Sequence, residues 1–345
     1  MRIGICTAQV PFLKGGAENL TLELYNELIK RGYEVEYIAI PFKWYPPKEI
    51  IKDSLVWRLL DLTESNGEKI DLLICTKFPS YIVKHPNKVV WLIHQLREAY
   101  DLFNTPYGLR EHGKEGEEIR RNIIKFDNKT LNECRKVFTI SNNVSSRLKK
   151  FNGINSKTIY PPPKNLDRFY CGNFDDYFVY PSRIELKKRQ SLIIEAMQYT
   201  RSDAKIIIVG TGPRENELKS LAKKLKVTGK VKFHGYASDD ELINLYANSL
   251  GAVFIPIDED YGYITLEAFL SKKPVITTSD SGGPLEFVED GKNGYVLEPD
   301  PVEIAGKIDY LFENKEMAKN MGTCGYERIK YMDITWDNVI EQLVG

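Results

Sequence analysis

The sequence predicts an α/β protein made of two doubly wound parallel-sheet domains. Short apolar strand-like segments alternate with longer stretches of helical periodicity along the whole chain, which is the pattern of a parallel sheet with crossover helices. At 345 residues the chain is about twice the usual domain length. Near its midpoint the tract Tyr160-Pro161-Pro162-Pro163 fixes three φ angles and removes three amide donors, so no helix or central strand runs through it. The expected units are therefore residues 1–165, residues 166–330 and a closing helix, 331–345, that crosses back to the first domain.

In the first unit, strands are expected at 2–6, 34–38, 71–76, 88–93 and 136–140, with a helix over 17–31 after the first of them. The charged stretch 100–127 reads as an exposed loop and helix. Beyond the prolines the alternation restarts, with strands at 178–181, 205–209, 230–233, 252–256, 274–277 and 294–297. In such sheets ligands bind beyond the carboxyl ends of the strands, so two domains facing across a cleft make that cleft the expected site.

Composition narrows the function classes. Lys plus Arg and Asp plus Glu both number 48, which argues against a nucleic-acid binder that must neutralise many phosphates. The balance conceals an asymmetry, because residues 1–165 hold 26 basic and 19 acidic side chains and the remainder 22 and 29, or +7 against −7. A basic first half attracts an anionic acceptor or membrane surface, or simply faces an acidic second half. Five scattered cysteines without C-x-x-C spacing suggest neither a disulfide framework nor a zinc site and fit a reducing cytoplasm. No apolar run approaches a membrane span and no signal-peptide pattern follows Met1, so a cytoplasmic protein is expected. The stretch Phe42-Lys43-Trp44-Tyr45-Pro46-Pro47-Lys48 and the helix after it, with Ile50, Ile51, Leu55, Val56, Leu59 and Leu60, reads first as core. Its second reading is a peripheral contact with the inner face of the membrane.

The strongest local signal is Pro256-Ile257-Asp258-Glu259-Asp260-Tyr261-Gly262-Tyr263-Ile264-Thr265-Leu266-Glu267, in which two glutamates stand in a strand-to-helix loop and in the first turn of the following helix. Gly262 gives the backbone freedom to turn its amides toward a ligand, and a helix N-terminus offers free N–H groups to a phosphate. Carboxylates hold vicinal hydroxyls in charge-assisted bonds, so a polyhydroxyl ligand bearing a diphosphate suits this segment. The plain alternative is a solvated Glu259 and a Glu267 favoured by the helix dipole.

Together with Gly210-Thr211-Gly212-Pro213, Ser281-Gly282-Gly283-Pro284-Leu285-Glu286, Gly15-Gly16-Ala17-Glu18, His94, Arg183 with Lys188, and Thr335-Trp336-Asp337, this segment resembles the retaining glycosyltransferases of family four, which have the GT-B architecture. The likeness spans nearly the whole chain. It implies transfer of a hexose from a UDP- or GDP-sugar to a hydroxyl of a carbohydrate or lipid-linked acceptor, with no cofactor beyond that donor substrate. Position by position it implies that Gly15 and Gly16 let the first loop approach the diphosphate and that Arg183 and Lys188 neutralise it as it leaves. Glu259, with Asp260 and the amides around Tyr261, Gly262 and Tyr263, would hold the sugar hydroxyls. Glu267 would accept from the ribose, Gly210 would border the donor, and His94 would meet the sugar from the opposite domain. The chain departs from the family at two places: Lys187-Lys188-Arg189 stands where many members have Glu-Lys-Gly, leaving Lys187 and Arg189 as alternative phosphate ligands, and Asp260 replaces a common glycine.

Two motifs point elsewhere. Asp258-Glu259-Asp260 spells the D-x-D pattern of metal-dependent transferases, but three residues are weak evidence and arginine and lysine normally supply the charge in this architecture, so no metal is expected. Gly210-Thr211-Gly212-Pro213-Arg214-Glu215 begins like a dinucleotide fingerprint yet ends in Glu215, which disfavours a dehydrogenase. A non-catalytic sugar-nucleotide-binding subunit of a transferase complex remains the alternative to an enzyme.

Overall fold

The computed structural model describes residues 1–12 and 15–345, and the chain divides into two compact units. The first comprises Met1–Lys164 together with Thr335–Gly345, and the second Asn165–Ile334.

The first unit runs β1 (Arg2–Gln9), α1 (Gly16–Lys30), β2 (Glu34–Pro41), α2 (Lys48–Leu59), a short antiparallel hairpin of β3 (Glu64–Ser65) and β4 (Glu68–Lys69), β5 (Leu72–Cys75), β6 (Lys88–Leu92), α3 (Gly113–Leu131), β7 (Lys136–Thr139), α4 (Asn142–Asn152) and β8 (Lys157–Thr158). Its sheet has the order β2-β1-β5-β6-β7-β8 and every pairing is parallel. Because helices must cross over between parallel neighbours, the inner strands are covered, and β5 and β6 are accordingly continuous runs of buried residues.

The second unit repeats the plan with β9 (Tyr177–Pro181), α5 (Gln190–Ala196), β10 (Lys205–Val209), α6 (Glu215–Lys224), β11 (Val231–Gly235), α7 (Asp239–Asn248), β12 (Gly251–Val253), α8 (Tyr263–Leu270), β13 (Val275–Thr278), β14 (Gly294–Leu297), α9 (Pro301–Glu313) and α10 (Lys315–Tyr331). The order is β11-β10-β9-β12-β13-β14, again all parallel. Phe178, Tyr180, Ile206 and Ile208 of the central strands join Ile193, Ile304 and Ile308 of the helices in one core.

The last helix, α11 (Trp336–Val344), packs in the first unit. Thr335 caps it by accepting from the Asn338 amide, Val339, Ile340 and Leu343 are buried, and the Trp336 ring meets Trp91 edge-on at 6.3 Å. Arg31 pairs with Asp337 at 2.5 Å on the same contact.

Several expectations change. The strand expected over 252–256 ends at Val253, since the following segment already turns into the loop that carries Glu259. The stretch 100–127 is no exposed loop: Tyr100, Phe103, Leu109, Ile119, Ile123 and Asp127 are all buried, and most of the other charged residues of α3 lie on its outer face. α2 is core on only one side. Ile50, Ser54 and Trp57 face inward, whereas Leu55, Val56 and Leu59 lie exposed, Leu59 at 84%, as do Trp44 and Tyr45.

Candidate functional site

Parallel strands send every following loop out of the same edge of the sheet, and in the second unit four such loops carry the motif residues. The loops after β9 and β10 are zipped together, Ser182 N donating to Val209 O at 2.9 Å and Ile184 N to Thr211 O at 3.0 Å, while Gly210 N donates to Gly235 O at the end of β11 at 2.7 Å. Gly210 is obligatory there, with φ +127° and a position where a Cβ would stand 2.2 Å from Ser182 O. The loop after β12 is pinned to that after β13, because Asp258 N donates to Asp280 O at 2.9 Å, Glu259 N to Ser281 O at 2.8 Å, and Gly283 N returns to Glu259 O at 2.8 Å.

On this frame Lys188 Nζ sits 2.5 Å from Glu259 Oε2, with only 16% of the lysine side chain exposed, and 5.6 Å from the centre of the Phe254 ring. A cation and a carboxylate are thus brought together from segments 71 residues apart. Arg183 lies half exposed, with the Glu185 carboxylate 3.5 Å away.

The alternative phosphate ligand Arg189 is spent on the scaffold. It adopts a left-handed conformation, φ +48°, just before α5, and its guanidinium donates to Pro256 O, Thr278 Oγ1 and Asp280 Oδ1 at 2.7, 3.3 and 2.6 Å. Arg189 therefore holds the Glu259 loop against β13, and Lys187 contributes its carbonyl to Ile257 N at 2.8 Å.

Gly262, at φ +89°, is the N-cap of α8, and Tyr261 is buried with its ring edge-on to Tyr263 at 5.0 Å and to Phe287 at 5.4 Å. Asp260 is partly buried in the same loop. Glu267 lies just beyond the first turn in which it was expected: the helix begins at Tyr263, one residue earlier, so the carboxylate stands where dipole stabilisation fades. Desolvation pushes its carboxyl up to about 7, only partly countered by the Tyr246 hydroxyl, which donates to Oε2 at 2.8 Å. Tyr246, supplied by α7, carries no sequence signal that would have singled it out.

In the first unit Gly15 has an extended backbone and its carbonyl accepts from Asn19 N at 3.0 Å, leaving Gly16 as the first residue of α1. Behind them lies an ion pair that the motif alone does not reveal, Lys77 Nζ to Glu18 Oε1 at 2.6 Å. Burial works against the Glu18 charge, but the lysine and the amides at Gly15 and Glu18 outweigh it and hold the carboxyl below its usual range. His94 follows β6, partly buried, with Nδ1 2.8 Å from Gln95 O. A carbonyl can only accept, so Nδ1 carries a proton and Nε2 is the ring nitrogen outside that bond.

Among the described residues no group of three or more His, Cys, Asp or Glu side chains is arranged to hold a metal ion, and Glu259 of the Asp258-Glu259-Asp260 run is committed to Lys188. No described helix is long and apolar enough to cross a membrane.

Residues 173–328 match the model of the glycosyl transferases group 1. The putative glycosyltransferase EpsD of Bacillus subtilis is 32% identical over 157 residues, 44% of this chain and 40% of that protein. The N-acetyl-alpha-D-glucosaminyl L-malate synthase of Bacillus anthracis is 22% identical over 99% of this chain and 95% of its own length. This chain spans only about two-fifths of the length of the first relatives it matches. Among solved structures, Anabaena HepE in complex with UDP superimposes with a TM-score of 0.73 at 17% identity, over 100% of this chain and 98% of the other. The fold is GT-B, and residues 173–328 are similar to the glycosyl transferases group 1 family.

Proposed function

We propose that the chain is a retaining, metal-independent hexosyltransferase that moves a hexose from a UDP- or GDP-sugar to a hydroxyl of a carbohydrate or lipid-linked acceptor in the synthesis of a glycan, polysaccharide or glycolipid. The Lys188–Glu259 pair on the carboxyl edge of the second sheet carries this reading, since it sets a cation for a diphosphate beside a carboxylate for sugar hydroxyls. In the step, the bond from the anomeric carbon to the phosphate oxygen breaks with its electron pair leaving on the diphosphate. The acceptor oxygen bonds to the anomeric carbon on the same face, and its proton passes to the departing phosphate. Charge grows on the diphosphate as that bond breaks, so Lys188 and Arg183 act more strongly on the transition state than on the ground state. Glu259, with Asp260 and the amides from Tyr261 to Tyr263, holds the sugar. Glu267 accepts from the ribose, Gly210, Gly15 and Gly16 leave room for the diphosphate, and His94 meets the sugar through Nε2. HepE, solved with UDP and glucose, supports a uridine donor.

The assay is donor turnover by the purified chain with UDP- and GDP-hexoses, with and without EDTA, the product's anomeric configuration being read by NMR. Turnover of an α-linked donor that survives EDTA and gives an α-linked product is expected. Nucleotide binding without turnover for any donor would identify a non-catalytic sugar-nucleotide-binding subunit instead. For location, the outward face of α2, with Leu55, Val56 and Leu59 beside Lys48 and Lys52, and the exposed Trp44 and Tyr45 next to Lys43, supports peripheral contact with an anionic membrane from the cytoplasmic side.

A further inference from the structure

One carboxylate of the first unit lies apart from the donor-site residues. Asp127, on α3, is fully buried (0% exposed), and its hydrogen-bonded neighbours are neutral: Tyr81 Oη donates to Oδ1 at 2.9 Å, Tyr100 Oη to Oδ2 at 2.6 Å, and Gln95 Nε2 approaches Oδ2 at 3.4 Å. Burial drives the carboxyl up to about 7 against the three donors. A pair of apolar residues would fill such a place at lower cost in free energy, so the group's value lies in what it orients.

What it orients is specific. Gln95 and Tyr100 bracket the loop that leaves β6, the loop on which His94 stands. Gln95 Nε2 also donates to Asn152 Oδ1 at 2.7 Å, and Asn152 Nδ2 donates to Asn128 Oδ1 at 2.6 Å and lies 3.3 Å from Tyr100 Oη, so the side chains on both flanks of the loop end on one polar cluster between α3 and α4. The Gln95 backbone carbonyl accepts from the His94 ring. An unbroken path therefore runs from the Asp127 carboxyl through Gln95 to the imidazole. The third donor, Tyr81, sits in the turn after Lys77, whose ammonium pairs with Glu18 behind Gly15 and Gly16. Two connections that leave adjacent strands, β5 and β6, are tied to a single carboxyl.

We propose that Asp127 is a positioning residue for transfer: through Gln95 and Tyr100 it fixes the loop 94–100 and thereby the orientation in which His94 presents Nε2. The proposal rests on the reading that His94 meets the donor sugar, and its test is built to separate the two.

The test uses the full chain as wild type, Asp127→Asn, Tyr100→Phe, Gln95→Ala and His94→Ala. Amide hydrogen exchange over 93–103 and the NMR signal of the His94 ring, identified by its loss in His94→Ala, are measured without substrate. Turnover is then followed with UDP-glucose, or with whichever donor the wild type uses. Exchange over 93–103 is expected to rise in Asp127→Asn and Tyr100→Phe while the second unit is unchanged, and the His94 signal is expected to move in both. The kcat falls, on the order of 100-fold for an ångström-scale displacement of a group at the reacting centre, with a far smaller change in donor KM. Unchanged exchange and an unmoved His94 signal in Asp127→Asn would overturn the proposal. So would exchange rising uniformly through the first unit, which marks a merely structural group. If Asp127→Asn does not fold, Tyr100→Phe and Gln95→Ala each remove one bond from the cluster and decide the question by the same two signals. Undiminished turnover in His94→Ala overturns the underlying reading, and with it the catalytic consequence, whatever the exchange shows.

Discussion

If Glu267 accepts the donor's ribose hydroxyls, nucleotide binding must be linked to a proton near neutrality. A neutral carboxyl has one acceptor oxygen fewer and no charge to assist the bonds, so the ionised form binds. With the carboxyl pushed up to about 7, it is roughly 9% ionised at pH 6 and 91% at pH 8. The dissociation constant for UDP should therefore fall about tenfold across that interval, a difference near 1.4 kcal/mol. Tyr246→Phe removes the hydroxyl that favours the anion, and a hydrogen bond to a charged group contributes about 1.5–3 kcal/mol, so the carboxyl rises by a further unit or so. At pH 7 this leaves about 9% ionised instead of half, and UDP should bind about fivefold more weakly. Calorimetric titration at pH 6, 7 and 8 measures this for the wild type, Tyr246→Phe and Glu267→Gln. UDP's own phosphate titrates in the same range, so the informative quantity is the slope of the wild type minus that of Glu267→Gln. Equal slopes for those two would refute the argument, as would a Tyr246→Phe profile superimposable on the wild type.

Other consequences can be checked alongside. Lys188→Ala should lower kcat about 10²–10³-fold, the usual cost of removing one donor to a developing charge, with a smaller change in donor KM, read from initial rates. Gly210→Ala combines φ +127° with a Cβ placed 2.2 Å from a backbone carbonyl, and should destabilise by at least about 2 kcal/mol in urea unfolding. Leu343→Ala empties a fully buried site where α11 packs and should cost about 2–5 kcal/mol in the same assay. For Asp127 the folded carboxyl titrates near 7 against a reference of 3.8, so its contribution to stability is fully present below about pH 4 and is lost as pH rises through 7. The whole loss is on the order of 4 kcal/mol, of which unfolding at pH 5 and pH 8 should show about 2.5 kcal/mol in the wild type and none in Asp127→Asn.

The helical and strand periods, the proline tract and the order of the motifs determine by themselves the two parallel α/β units and the family resemblance, because a buried strand must read as an apolar run and a loop that turns sharply must carry glycine. Strand ends at 205–209 and 294–297 are legible to the residue for that reason, while 252–256 is not: apolar residues continue past the last ladder bond into a loop that is equally buried. The paired glutamates were legible as types and spacing. Their states were not. Which of three consecutive cations meets Glu259 depends on the left-handed turn at Arg189, a backbone angle that makes Arg189 part of the scaffold and delivers Lys188 to the carboxylate. The proton affinity of Glu267 depends on a phenol from α7, 21 residues earlier in the chain. Asp127, in a stretch that reads as solvated, is buried because its ligands come from two separate connections, those after β5 and β6. Local pattern reports what a residue's immediate neighbours require. Charge state and partnership are set by groups that only the folded sheet brings within a few ångströms, and those the tertiary structure alone decided.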